Sequence, residues 1–103
     1  MTLSTLAGLL DSLDDLEDNL TVYASSHGEW QAESLAVAAT EPDDGSIPPE
    51  ASGMTYLLEV PLAKEAIRVW SEWRGGATPT TADRVEAVVH FAKHDAFLPV
   101  RGA

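Results

Sequence analysis

Leu3, Leu6, Leu10 and Leu13 recur at i, i+3, i+7 and i+10, which lines one side of a helix. The spacing predicts a helix over 3–13, with Thr2 or Ser4 as its N-cap. Asp14, Asp15, Glu17, Asp18 and Asn19 follow; they form helices poorly and the acids repel one another, so a turn is expected there. Positions 20–24 (Leu-Thr-Val-Tyr-Ala) have the β-branched and aromatic content of a strand. After turn chemistry at 25–28, positions 30–40 predict a second strand centred on 35–38, antiparallel to the first. Proline, glycine and acids concentrate in 41–50, an expected exposed loop.

Positions 54–60 predict a third strand, although Leu57 and Leu58 would suit a helix equally. Pro61 marks the start of a helix, because proline is tolerated in the first turn and disfavours helix in the residue before it. Over 61–73, Leu62, Ala66, Ile67, Val69, Trp70 and Trp73 form an apolar arc opposite Lys64, Arg68, Ser71 and Glu72, and Gly75-Gly76 stops the helix. The periodic run Val85, Val88, Val89, Ala92 and Ala96 predicts a last helix over 80–95, capped near Thr80 with Asp83 in its first turn. Pro99 ends anything helical, and the last residues should fray. The order α-β-β-β-α-α predicts an α+β fold: a small antiparallel sheet of two to three strands packed with three helices.

A chain of 103 residues has room for one such domain. Its 45% hydrophobic content is far from the composition of a disordered chain. No apolar run approaches the roughly 18 residues that span a bilayer. The first residues lack the basic stretch of a secretory signal. Cysteine is absent, which removes disulfides, thiolate metal sites and a cysteine nucleophile, and fits a cytoplasmic protein.

Charge changes the picture more than composition does. The formal net charge is -11. From Met1 to Ala63 there are twelve acids and no Lys or Arg, while all six bases lie from Lys64 onward. Such a field repels nucleic-acid phosphates and anionic lipid surfaces and attracts a basic protein. The expected partner-facing residues are Asp11, Asp14, Asp15, Glu17, Asp18, Glu29, Glu33, Glu41, Asp43 and Asp44, gathered on one side of the molecule. Trp30 joins them as an aromatic among carboxylates at a loop-to-strand junction. The plain alternative is that the acids only keep the chain soluble.

Candidate chemistry is sparse. Glu86, His90 and His94 stand one turn apart on the last helix, a spacing that metal ligands use, but a His-Glu-x-x-His pattern is missing and an ordinary polar helix face is the simpler reading. The cluster from Asp11 to Asp18 lacks the order and the glycine of a calcium loop. There is no Gly-x-Ser-x-Gly, and Gly75-Gly76 is not followed by the lysine of a phosphate-binding loop. These absences favour a non-enzymatic protein without a cofactor.

The stretch Gly53-Met54-Thr55-Tyr56-Leu57-Leu58-Glu59-Val60, the helix after it and the close Phe91-Ala92-Lys93-His94-Asp95-Ala96-Phe97 resemble small acidic bacterial proteins akin to immunity proteins of interbacterial toxin systems. The resemblance covers the C-terminal half and brings no site residues with it. It implies a small acidic immunity protein, or a phage-encoded inhibitor, that blocks a basic nuclease or nucleic-acid-binding complex by covering its positive surface. Two rivals remain at this point. One is an adaptor or structural protein associating through an apolar surface, as a homodimer for example, by way of Trp30 or the open side of the sheet. The other is a small metal-binding protein or enzyme built on Glu86, His90 and His94.

Overall fold

The computed structural model describes residues 4–25 and 29–100, so most of the turn expected at 25–28, Leu3 and the last three residues lie outside the described part. The elements run β1 (Ser4–Thr5), α1 (Leu6–Asp11), β2 (Thr21–Ala24), β3 (Leu35–Ala39), β4 (Thr55–Glu59), α2 (Val60–Glu72) and α3 (Thr81–His94), with 3-10 turns at Leu13–Asp15 and Pro49–Ala51. The α+β class and the three helices are as expected. The sheet has four strands, in the order β1-β3-β2-β4, and every pairing is antiparallel.

The extra strand corrects the expected order and the first helix together. Ser4 and Thr5 pair with Ala36 and Leu35, and the backbone bonds continue from Leu6 N–H to Ser34 O (2.7 Å) and from Ala7 N–H to Ala32 O (2.9 Å). Thr5, in extended backbone, caps α1 by accepting from Gly8 N–H at 3.1 Å, so the helix begins at Leu6 and not at Leu3. It closes after Asp11, where Ser12 turns its hydroxyl back onto Gly8 O (3.0 Å) and the chain tightens into the 3-10 turn. Leu6, Leu10 and Leu13 from the predicted stripe are buried all the same.

A β-bulge settles the ambiguity at Leu57-Leu58. Val22 pairs with Leu58 and Tyr23 with Tyr56, leaving Leu57 as the extra residue. Successive strand residues normally face opposite sides. The bulge instead lets both leucines enter the helix-side core, at 3% and 5% exposure. That core takes side chains from all three helices and from β2, β3 and β4. The other face of the sheet holds a smaller cluster, Tyr23, Val37, Ala39, Ala51 and Met54, partly roofed by the Pro49–Ala51 turn.

α2 follows β4 without a loop, with Pro61 in its first turn. Its buried line is Val60, Ala63, Ala66 and Val69, rotated toward the small residues. Trp73, expected near the middle of the apolar arc, is 51% exposed. It sits at the C-cap, beyond the last packed turn, and meets Phe97 edge-on at 5.8 Å. Gly75 and Gly76, at φ 69° and 83°, then turn the chain. α3 carries a complete capping box: Thr80 Oγ1 accepts from Asp83 N–H at 3.1 Å, and the Asp83 carboxylate accepts from Thr80 N–H at 2.9 Å. Among the described residues, no helix is long and apolar enough to cross a membrane.

Candidate functional site

Three of the acids expected to face a partner, Asp11, Asp18 and Glu29, are paired in the fold with cations from the second half of the chain. Asp11, at the end of α1, accepts the Thr81 hydroxyl (2.7 and 2.9 Å) and Arg84 Nη1 (2.9 Å), tying α1 to the start of α3. Asp14 lines the same shallow depression as Asp11, Lys64 and Arg84. Asp18 receives Lys64 Nζ at 2.9 Å, and that ammonium also donates to Leu16 O at 3.0 Å. Glu29 is bridged to Lys93 on α3 at 2.6 Å, a contact that holds its carboxyl below the usual range. Asp11, Asp18 and Glu29 thus brace the fold.

Trp30 is likewise occupied. Its indole N–H donates to Ala24 O and to Thr55 Oγ1, both at 3.3 Å, and its ring packs against the helix-side core. The aromatic expected at this loop-to-strand junction is thus half-buried. Glu33 lies in the turn before β3, exposed, at the sheet end where Ala24 and Ala36 pair.

The opposite end of the sheet is different. Thr21 pairs with Ala39 on one side and Glu59 on the other, so three chain segments meet there. Glu17 lies in the turn leading into β2, Glu41 follows the end of β3, and Glu59 closes β4. Asp15 ends the 3-10 turn before Glu17. Asp43 and Asp44 sit in the turn closed by Gly45 N–H to Pro42 O at 3.0 Å. The Asp44 carboxylate accepts from Ser46 N–H at 3.0 Å, and hydrogen bonding from the Ser46 side chain first and this N–H second lowers its pKa. All are exposed, and among the described residues none of them has an ion pair.

The supply of cations explains why. Lys64, Arg84 and Lys93 serve Asp18, Asp11 and Glu29; Arg68 serves Glu65 and Glu72 on its own helix. Arg74 lies over the Trp70 ring and donates to the carbonyls of Trp70, Leu98 and Pro99. Every described Lys and Arg is therefore engaged with other groups, and Lys64, the described cation nearest the Thr21 end of the sheet, is held there by Asp18 and Leu16 O.

Two aromatic residues border these carboxylates, and sequence reasoning passed over them together with Glu59. Tyr56 is 39% exposed, and its hydroxyl lies 3.5 Å from Glu59 Oε1. Burial, then Glu59 and Glu41, push its pKa up. Tyr23 meets Tyr56 edge-on at 6.1 Å and 87°. The pairing of β2 with β4 brings Tyr23, Tyr56 and Glu59 together, and Glu41, just past the end of β3, acts on both tyrosines, so their signal was strand pairing and not any local motif.

The histidine candidates lie elsewhere. His90, with Glu86, lines an open groove of about 700 Å³ between α3 and the Glu29–Ala32 stretch, floored by Val85, Val89 and Trp30. The His90 and His94 rings are 4.5 Å apart, and burial followed by His94 lowers the His90 pKa against a smaller opposite pull from Glu86. Among the described residues, no group of three or more His, Asp or Glu side chains is arranged to hold a metal ion, so the helical spacing of Glu86, His90 and His94 does not become a ligand set.

Comparison with protein-family models, with curated proteins and with solved structures gives no significant match.

Proposed function

We propose that this chain is a non-enzymatic, cytoplasmic binding protein of the immunity or inhibitor kind, which blocks a basic nuclease or nucleic-acid-binding protein by covering its cationic surface. One observation carries the reading. Glu17, Glu41 and Glu59 lie at one end of the sheet, with Asp43 and Asp44 in the turn after β3, and among the described residues none of them has an ion pair, Lys64 at the same end being taken by Asp18. Like charges held together without counter-charges cost folding free energy, and a cationic partner relieves that cost on binding. The reach of such a field over about one Debye length would also steer the encounter.

The apolar-surface alternative finds less support. The outer sheet face is partly roofed by the Pro49–Ala51 turn, and Trp30 is half-buried with its indole N–H bonded to Ala24 O and Thr55 Oγ1.

The test is affinity capture from host lysate at low salt, with the Glu17→Gln/Glu41→Gln/Asp43→Asn variant as the comparison. The reading expects a basic protein that elutes with moderate salt and that the variant fails to retain. Equal retention by wild type and variant, or a partner that resists high salt, would reject it.

A further inference from the structure

Tyr23 is the one described residue with a buried side-chain polar atom lacking a hydrogen-bond partner: its hydroxyl is enclosed and the residue is 1% exposed. Leaving such a group unsatisfied destabilises a fold, and native structures keep few of them. The hydroxyl lies in the field of Glu41, whose charge adds to burial in pushing the phenol's pKa up. Beside it the Tyr56 ring presents an accessible surface next to Glu59. A half-exposed aromatic ring, two carboxylates without cations and a phenol without a partner therefore share one corner of the sheet.

We propose that this corner is a receptor for an arginine side chain of the partner, formed by Tyr56, Glu59, Glu41 and Tyr23. The guanidinium stacks on Tyr56 and donates its planar fork to the two carboxylates. Arginine suits such a site better than lysine, whose ammonium is more strongly hydrated and has no flat face. Drawn in by the guanidinium, Glu41 turns its second oxygen to accept the Tyr23 hydroxyl, which then gains the bond it lacks in the free protein. The proposal rests on the cationic-partner reading above and adds to it a side-chain identity and a four-residue site.

Calorimetric titration of the full chain with an oligoarginine peptide, and with an oligolysine peptide of the same length, tests it. The arginine peptide is expected to bind more tightly, and Tyr56→Ala and Glu59→Gln should each weaken it about tenfold. Tyr23→Phe is the decisive variant. Removing a hydroxyl that has no partner in the free protein should leave the melting temperature unchanged or raised, yet weaken the arginine peptide about fivefold to tenfold. If the two peptides bind alike and only Glu17→Gln/Glu41→Gln/Asp43→Asn weakens them, the arginine receptor is wrong and the cationic-partner reading survives. If neither peptide binds, both fall. A Tyr23→Phe protein that loses stability but binds normally would show that the hydroxyl serves only the fold and would overturn its part in the site.

Discussion

Two acids of the same type should behave oppositely on neutralisation, depending on whether the fold has given them a cation. Asp11→Ala removes the acceptor of the Thr81 hydroxyl, at 2.7 and 2.9 Å, and the partner of Arg84. The hydroxyl bond to a charged acceptor is worth about 1.5 kcal/mol. The ion pair, with Arg84 and Asp11 side chains 28% and 42% exposed, adds about 0.5 kcal/mol. Against this, a carboxylate at the C-terminal end of α1 opposes the helix dipole, and its removal returns a few tenths. The net expectation is a loss of about 1.5 to 2 kcal/mol, or roughly 10 °C in melting temperature for a domain of this size. The Glu17→Gln/Glu41→Gln/Asp43→Asn protein, which removes three exposed carboxylates and no described ion pair, should stay within about 0.5 kcal/mol of wild type or gain stability. Urea denaturation of both proteins at low salt, with unchanged m-values, makes the comparison. A larger loss in the triple variant than in Asp11→Ala would refute the division into bracing and partner-facing acids.

Three further outcomes follow from the geometry. Thr80→Ala opens the capping box of α3 and should cost about 1 kcal/mol in chemical denaturation without altering peptide binding. Leu57→Ala should cost about 2 to 4 kcal/mol because the bulge buries it, while Leu35→Ser, at a strand position 51% exposed, should stay within about 0.5 kcal/mol; similar losses at both sites would contradict the register. The lowered pKa of His90 means that the unfolded chain takes up a proton more readily than the folded one, so its contribution to stability is present above the ordinary value of 6.5 and is lost as pH falls below it. His90→Gln should flatten that part of the stability profile, as followed by melting temperature across the range, and an unchanged acid-side slope would remove His90 as its source.

What the sequence made legible was local. The capping box at Thr80 and Asp83, the proline at the head of α2 and the paired glycines after it each act within a few residues, and each appears where the pattern placed it. β1 was invisible because two residues with no strand signature become a strand only by meeting Ala36 and Leu35, some thirty residues away. Trp73 belonged to the apolar arc by angle, yet the helix ends before reaching anything to pack it against except Phe97. The ion pairs of the acids were hidden for the same reason. Asp11 with Arg84, Asp18 with Lys64 and Glu29 with Lys93 are pairs chosen by topology, and a count of charge along the chain says nothing of them. The Tyr23–Tyr56–Glu59–Glu41 corner needed the strand register and the bulge.

The most direct measurement is an amide hydrogen-exchange footprint of the full chain with and without the captured cationic protein. The account predicts slowed exchange at 15–21, 40–45 and 56–60, with the Glu29–Lys93 bridge and the His90 groove unchanged. Protection confined to α3 and the stretch around Trp30, with the Thr21 end of the sheet exchanging as in the free protein, would contradict it.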